Sequence, residues 1–511
     1  MRIANAPRAL PPDGKLYSAL MSLIGIDLGS SAIKVVAFAL DGAVLAEARR
    51  EVGAHRPQPG WWEVDPHESL AAFNHALASV TSDDAVRADP PSGISFGSSG
   101  REVFPVDEEG SPLGPCLMTA DVRGDDVATI TAARRTAREW FGLCGHVPRR
   151  MDPVNRILWW ARNDPATTAR ARWFMNWHEF FALRLTGRPI VDASSAGTWL
   201  VYDRTSGGWS RDRIVETGID RRILPEIQGS GTVIGPVLAE VAAEFGLPAG
   251  VPVVTGAYDT FASSIGSGAV APGIVGLACG SWHSFVLPVT TDVPDSIADE
   301  GMNLYPFAGP TGLAINVNNP NGMTVVNWAR SLAHLSITKL EEGLAGMGAG
   351  PGHVWANAHL TPLPHHDAID GFGGSLHGLT LATSALDIVR ALLESVACDL
   401  AVTLDSLRSR GVPVTLIRAS GGGARSAWWM QQTADVCGIP VEVVTQDEPG
   451  AFGAALLAGV GAEIYPSVAA AVRENVIVAH RYEPDAARRA LYAPLRERLA
   501  AERGAAWATG A

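Results

Sequence analysis

Residues 23 to 47, "LIGIDLGSSAIKVVAFALDGAVLAE", constrain the fold more than any other stretch. The apolar runs "LIGIDL" and "IKVVAFAL" predict two strands, "DG" is a tight-turn signal, and "AVLAEARRE" predicts a third strand, so the chain opens with a β-meander. Asp27 stands inside the first apolar run and is followed at once by Gly29, Ser30 and Ser31. An ionised carboxylate is costly to bury unless it is paired, hydrogen-bonded or close to a cation. One reading makes Asp27 a turn-former that binds neighbouring backbone amides. The other places it at a strand end, beside a glycine–serine loop with free N–H groups and with Lys34 just beyond. There it would hold a hydrated Mg²⁺ while the loop accepts phosphate oxygens.

A chain of 511 residues exceeds one hydrophobic core and predicts roughly two to four domains. An apolar fraction of 47% with 18% charged residues is ordinary for a soluble protein. No run approaches the ~18 uninterrupted apolar residues of a membrane span. The net charge of -13 argues against nucleic acid or an anionic membrane as partner. Cys116, Cys144, Cys279, Cys398 and Cys437 are odd in number and contain no Cys-x-x-Cys pair, which fits neither a disulfide framework nor a zinc site and points to a reducing cytoplasm. Residues 1–20 lack the apolar core of a signal peptide and carry three prolines, and are expected to form a loose extension with folding starting near Met21.

"VDPHESLAAFNHALASV" predicts a helix with Asp65 as N-cap, Pro66 at its first position, Glu68 at N3, and Leu70, Phe73, Leu77 and Val80 at helical spacing. Residues 130–250 mix Trp and Arg with helical and loop signals and place their elements only coarsely. Strands return at "GVPVVTGAYDT", and "GIVGLACGSWHSFVLPV" repeats the strand, small-residue turn and strand of residues 23 to 40, a faint sign of a duplicated core. A long helix is expected over "SALDIVRALLESVACDLAVTLDSLRSRG", ended by Gly411. Then "VTLIRAS", "GGGARS", "AWWMQQTADVCG" and "IPVEVV" give a strand, glycine loop, helix and strand, an α/β unit with a buried sheet.

Asp259 in "TGAYDTFASSIGSG" has two readings: the N-cap of a short helix starting at Thr260, or a base at a strand-to-helix junction near a positive helix end, where phosphates bind. The "SGGGARS" loop, residues 420 to 426, is either a tight turn or a place where backbone approaches a nucleotide at a helix N-terminus. G-x-G-x-x-G is absent there, which argues against NAD. "PHHDAIDG", residues 364 to 371, fits a loop better than a transition-metal site, because adjacent histidines point in different directions. The cysteines are expected to be buried or inert.

Taken together, these segments resemble the FGGY carbohydrate kinases over residues 23 to about 465. "IGIDLGSSAIKVVAFALDG" looks like the first phosphate motif of that family, and "GWWEVDP" like the segment after it. "VDEEGSPLGPCLMTADVR" resembles its hairpin ending in a substrate-binding Asp-x-Arg, here Asp121 and Arg123. "GAYDTFASSIGSG" is similar to the motif of the catalytic base, which falls on Asp259. In "CGSWHSF", Gly280 and Ser281 match a Gly-Thr-Ser near the nucleotide phosphates. "PHHDAIDGFGGSLHGLT" looks like a sugar-kinase loop, and "SGGGARSAWWMQQTADVCGIPVEVV" with "EPGAFGAALLAG" resembles the adenosine and phosphate signature. In "SSGREVFPVD", Arg101-Glu102 looks like the pair of glycerol kinases where xylulokinases have Gln-Met-His, although Ser99-Gly100 departs from the glycerol branch.

The resemblance implies an α/β protein of two actin-like (ribonuclease H-like) domains with ATP in the cleft between them. The expected division is an N-terminal kinase domain on the sugar side over 21–267, a nucleotide-side domain over 268–485, and a helical tail over 486–511. It implies ATP and Mg²⁺ as cofactors, a small sugar or polyol as substrate, a pentulose such as xylulose first, and a possible homodimer. Asp259 would be the base, and Asp27 with Asp259 would face the metal. Gly29, Ser30, Ser31, Lys34, Gly280, Ser281, Gly421, Gly422, Gly423, Ser426 and Gly450 would lie on the nucleotide side. Arg101, Glu102, Asp121 and Arg123 would bind substrate, with Trp61 and Trp62 as an apolar wall. The rival readings are a polyol or glycerol kinase, an actin-like ATPase acting as chaperone or filament, and a catalytically silent regulatory protein.

Overall fold

The structure is a computed structural model, and it describes residues 21–29, 31–290, 293–348, 350–361 and 373–509, the stretch 503–509 for its backbone alone. Ser30 and the "PHHDAIDG" segment, on which two sequence expectations fall, lie outside the described residues, as do residues 1–20.

The opening meander forms as expected. Strands Ser22–Leu28, Ala32–Ala39 and Val44–Glu51 pair antiparallel, and Asp27 sits opposite Lys34. Ser22–Leu28 also pairs parallel with Pro91–Ser98, which pairs parallel with Pro252–Tyr258. With Val233–Pro236 these make a six-stranded sheet among the described residues. The connection from Val44–Glu51 to Pro91–Ser98 runs through the helix Pro66–Thr81, whose Asp65 side chain accepts the His67 N–H as an N-cap, and which buries Phe73, Leu77 and Val80.

The second half repeats this wiring. Gly273–Cys279 pairs antiparallel with His283–Val289, which pairs antiparallel with Leu313–Asn319. Gly273–Cys279 pairs parallel with Val414–Ser420, which pairs parallel with Val441–Val444. The faint echo in the sequence is therefore a repeat of topology: in each sheet a three-stranded meander is followed by two parallel strands. The long helix Ala385–Ser409, closed at its N-terminus by a Ser384–Asp387 capping box, buries Val389, Leu392, Leu393, Val396, Leu400, Leu404 and Leu407. After the second sheet the chain ends in helices Ala486–Leu491 and Ala493–Thr509. No helix among the described residues is long and apolar enough to cross a membrane.

Two helices lie between the sheets. Asp259–Gly266 follows the first sheet's Pro252–Tyr258, and Pro449–Gly461 comes from the far end of the chain. Leu23, Val36 and Phe38 of the first sheet share one buried cluster with Phe261, Ile265, Phe452 and Leu456 of the helices and with Val286, Tyr305 and Ala314 of the second. Glycine makes the contact possible. A Cβ at Gly453 would fall 1.9 Å from the Ala262 carbonyl oxygen, one at Gly266 2.0 Å from that of Pro449, and one at Gly25 1.8 Å from that of Ala451. These neighbours are backbone atoms, which cannot swing away.

Gly453→Ala is therefore expected to destabilise the protein by about 1–3 kcal/mol or more in denaturant unfolding. Gly422→Ala, where an added Cβ meets nothing within 4 Å, should unfold like the wild type. Equal stability of the Gly453 variant would contradict the packing.

Candidate active site

Three segments converge where the two sheets face each other. Asp27 is next to last in its strand, and Asp259 is the first residue of its helix. Gly450 starts the other buried helix, behind Glu448 and Pro449. A Cβ at Gly450 would lie 3.3 Å from Cγ and Oδ2 of Asp27 and 3.4 Å from Oγ of Ser263, one helical turn beyond Asp259. The N-termini of both helices thus open towards the two carboxylates, where their unpaired N–H groups favour negative charge. Asp259 does not cap the helix from outside: Tyr258 holds the cap position without a side-chain bond, and the Asp259 Oδ1 accepts the N–H of Thr260 at 2.6 Å.

Desolvation raises both of these acids, and the charge of Asp27 acts on Asp259. Burial raises Asp27 to about 6; Lys34 opposes the rise and Glu448 adds to it. Burial, followed by the charges of Asp27 and Glu102, raises Asp259 to about 7, with the Thr260 amide and Arg101 acting the other way. Lys34 gives its ammonium to Glu448, tying the first sheet to the start of the late helix. The sequence could not show this pairing, because the partners are 414 residues apart.

The two predicted phosphate loops are both hairpin turns. The N–H of Gly29 donates to the Ala32 carbonyl at 3.1 Å, and that of Gly280 to the Trp282 carbonyl at 3.1 Å. These two glycine amides close the turns and are not the free donors expected from the sequence. Beside the second hairpin, Gly421 takes a left-handed φ of +86°, and a Cβ there would lie 3.2 Å from the Cys279 carbonyl oxygen. A Cβ on Gly423 would lie 2.5 Å from the Trp429 ring, whereas Gly422 faces open space. The triple glycine therefore packs against the second hairpin and leaves its middle residue accessible. Ser426 caps the helix Ala427–Cys437 by accepting the Trp429 N–H and donates its hydroxyl to Glu341 at 2.9 Å, so both of its polar functions are used within the protein.

On the opposite side, Arg101 is buried, and its Nη2 donates to the Tyr305 hydroxyl at 2.7 Å, crossing from the first half of the chain to the second sheet. Its Nη1 is buried, and the guanidinium also interacts with the Tyr258 hydroxyl. Glu102 accepts from the hydroxyls of Ser99 and Thr119. Arg156, fully buried, donates to the carbonyls of Arg101, Met118 and Thr119 and so clamps together the two loops that carry the predicted substrate residues.

Asp121 and Arg123 are committed to each other. Arg123 donates through Nε to Oδ1 at 2.8 Å and through Nη2 to Oδ2 at 2.5 Å, and its Nη1 reaches Glu63. Asp121 also accepts the Trp62 N–H at 2.6 Å. The pair therefore fixes the Trp61–Trp62 loop. The Trp61 ring lies 4.0 Å from the Arg123 guanidinium, and Trp62 is stacked 3.6 Å from that of Arg56. Tyr305, Arg156 and Trp159 belong to this neighbourhood and carry no motif that would have marked them; Glu63 lies within "GWWEVDP" without being marked there as a site residue.

All five cysteines are free and buried. Among the described residues no group of three or more His, Cys, Asp or Glu side chains forms a metal cage. Two carboxylates and a serine hydroxyl are hard oxygen donors of the kind Mg²⁺ takes when substrate phosphates complete its shell, so the residues present fit that ion.

Because the folded values of Asp27 and Asp259 lie above the ordinary 3.8, folding favours their protonated forms. This contribution is fully present below about pH 4 and is lost as pH rises through 6 and 7. Without nucleotide and metal, Asp259→Asn should be more stable than the wild type at pH 8, by on the order of a few kcal/mol, and equal to it near pH 4. Thermal midpoints measured across that range check this, and equal midpoints at pH 8 would contradict it.

Comparison with known proteins accords with this arrangement. Residues 22–266 match the N-terminal domain of the FGGY family of carbohydrate kinases and residues 325–462 its C-terminal domain. Among curated relatives, the Escherichia coli K12 xylulose kinase is 27% identical over 478 residues, covering 93% of this chain and 97% of its own. The L-xylulose/3-keto-L-gulonate kinase of the same organism is 24% identical over 457 residues, covering 88% and 90%. The crystal structure of xylulose kinase from Rhodospirillum rubrum superposes with a TM-score of 0.83 at 26% identity, covering 96% of this chain and 98% of that one. With both family domains present in order, and two sheets of the actin-like pattern facing each other, this chain belongs to the FGGY family of carbohydrate kinases, which are ATP-dependent phosphotransferases.

Proposed function

We propose that this sugar kinase phosphorylates a small ketose, a pentulose such as xylulose first in order, with Asp259 as the base. The observation that carries the reading is the position and acidity of Asp259. It is half-buried at a strand-to-helix junction, raised to about 7 by desolvation and by the charges of Asp27 and Glu102, with Arg101 acting the other way. A base poised near neutrality suits removal of a hydroxyl proton. The relatives named for xylulose and for L-xylulose or 3-keto-L-gulonate support the choice of ketose.

In this mechanism the substrate hydroxyl lies against the Asp259 carboxylate, which takes its proton as the oxygen forms a bond to the γ-phosphorus and the bond to the bridging oxygen of ADP breaks. Mg²⁺, when bound by Asp27 with the phosphates, supplies charge neutralisation at the oxygens in transfer. Catalysis otherwise depends on positioning, with Gly280–Ser281 and Gly421–Gly423 beside the phosphates and the open face of Gly422 towards the nucleotide. Arg101 offers its guanidinium to an oxygen of the acceptor, and the Asp121–Arg123 pair holds Trp61 and Trp62 as the wall of the sugar pocket. The same Arg101–Glu102 pair favours a second reading, a four- or five-carbon polyol or glycerol as acceptor. The enzyme would act in the cytoplasm, where five free thiols persist.

ADP release with Mg-ATP across ketoses, aldoses, polyols and glycerol tests the reading. One acceptor should stimulate release, and Asp259→Asn should lower kcat for it by at least about 100-fold. Arg101→Met should raise KM for the acceptor about 10-fold or more and leave KM for ATP unchanged. No stimulation by any acceptor, or full activity in Asp259→Asn, would overturn the proposal.

A further inference from the structure

The strand that delivers Asp259 is not held by regular pairing alone. In Pro252–Tyr258 the parallel register against Pro91–Ser98 shifts between Val254 and Ala257, and a Cβ at Gly256 would fall 1.6 Å from the Phe96 carbonyl oxygen. Side chains from a different region take the amides here. The N–H of Tyr258 donates to Ser194 Oγ at 2.9 Å, and that of Gly256 points at Nε2 of His178 at 3.5 Å.

Both acceptors are oriented by a single carboxylate. Asp192 Oδ2 lies 3.0 Å from His178 Nδ1. Its Oδ1 accepts the hydroxyl of Ser194, the N–H groups of Ser194 and Ser195 at 2.9 and 3.0 Å, and the hydroxyl of Ser230 at 3.3 Å. His178, Asp192 and Ser194 are 0% exposed. With its Nδ1 proton drawn to the carboxylate, the imidazole keeps a lone pair on Nε2, which is what an amide donor needs. With its own proton on Asp192, the Ser194 hydroxyl likewise presents a lone pair to Tyr258.

We infer that Asp192, acting through His178 and Ser194, is a positioning device for the base: it fixes the backbone from Gly256 to Tyr258 and thereby the place of the Asp259 carboxylate. The inference rests on Asp259 being the base. The three side chains are closed off from solvent and act on the base through the backbone. A shift of about 1 Å in a reacting group costs about 100-fold in rate, so a brace of this kind is felt in kcat more than in binding.

Acceptor-dependent ADP release by the full-length wild type comes first; its absence removes the reading of Asp259 as base, and this inference with it. Given turnover, Ser194→Ala removes the acceptor of the Tyr258 amide while Asp192 keeps His178, Ser195 and Ser230. The expected result is a kcat lower by about 10-fold or more, KM for ATP and acceptor within about two-fold of wild type, and faster hydrogen exchange at the Tyr258 amide. Asp192→Asn should lower kcat further; where that variant does not fold, Ser194→Ala decides alone. An unchanged kcat in Ser194→Ala, or a loss that falls on KM, would show that the network only satisfies buried groups and would overturn the inference.

Discussion

The close crossing of two helices between two sheets governs this structure. Helices Asp259–Gly266 and Pro449–Gly461 touch backbone to backbone at Gly266 and Gly453, and Gly25 lets the second of them rest on the opening strand. Side chains at these positions would force the helices apart and carry Asp259 and Gly450 away from Asp27. The glycines therefore act on the site through distance. Their contact also explains why residues from the start, middle and end of the chain share one core.

What the crossing brings together is unfavourable by itself. Two half-buried, partly desolvated carboxylates act on each other, and Lys34 is engaged by Glu448. Protein interiors tolerate such an arrangement where function requires it and stability elsewhere offsets it. Mg²⁺ and phosphate would reverse the balance. On the proposed reading the cation would favour the ionised acids, the helix N-termini would favour the phosphates, and the substrate hydroxyl would meet a base of suitable strength. Arg101 links this centre to the second sheet through Tyr305, so its surroundings are built from both halves of the chain.

Local pattern made much of this legible. The opening hairpin, the helix at Pro66–Thr81 and the long helix at Ala385–Ser409 follow from periodicity and caps, because their stabilising contacts are near in sequence. Asp27 was visible as an acid inside an apolar run, Asp259 as an acid at a strand-to-helix junction, and the repeat of sheet topology as a weak echo at Gly273–Val289. Contacts across long loops were not legible. The Lys34–Glu448 pair, the reach of Arg101 to Tyr305 and the Arg156 clamp join distant segments by tertiary packing that no spacing encodes. The Asp-x-Arg motif was visible as residues, but the commitment of Arg123 to Asp121 and Glu63 appears only in the fold. His178 and Asp192 lie in the Trp- and Arg-rich middle third, where the sequence placed elements only coarsely, and their role depends on an irregular strand 60 or more residues away.

The central claim is that Asp27 and Asp259 are held partly protonated until Mg²⁺ and nucleotide arrive. Calorimetric binding of Mg-ATP at about pH 6.5, repeated in buffers of different ionisation enthalpy, counts the protons released. The account predicts net release from the wild type and a smaller release from Asp27→Asn. Equal proton counts for the two proteins, or none for either, would contradict it.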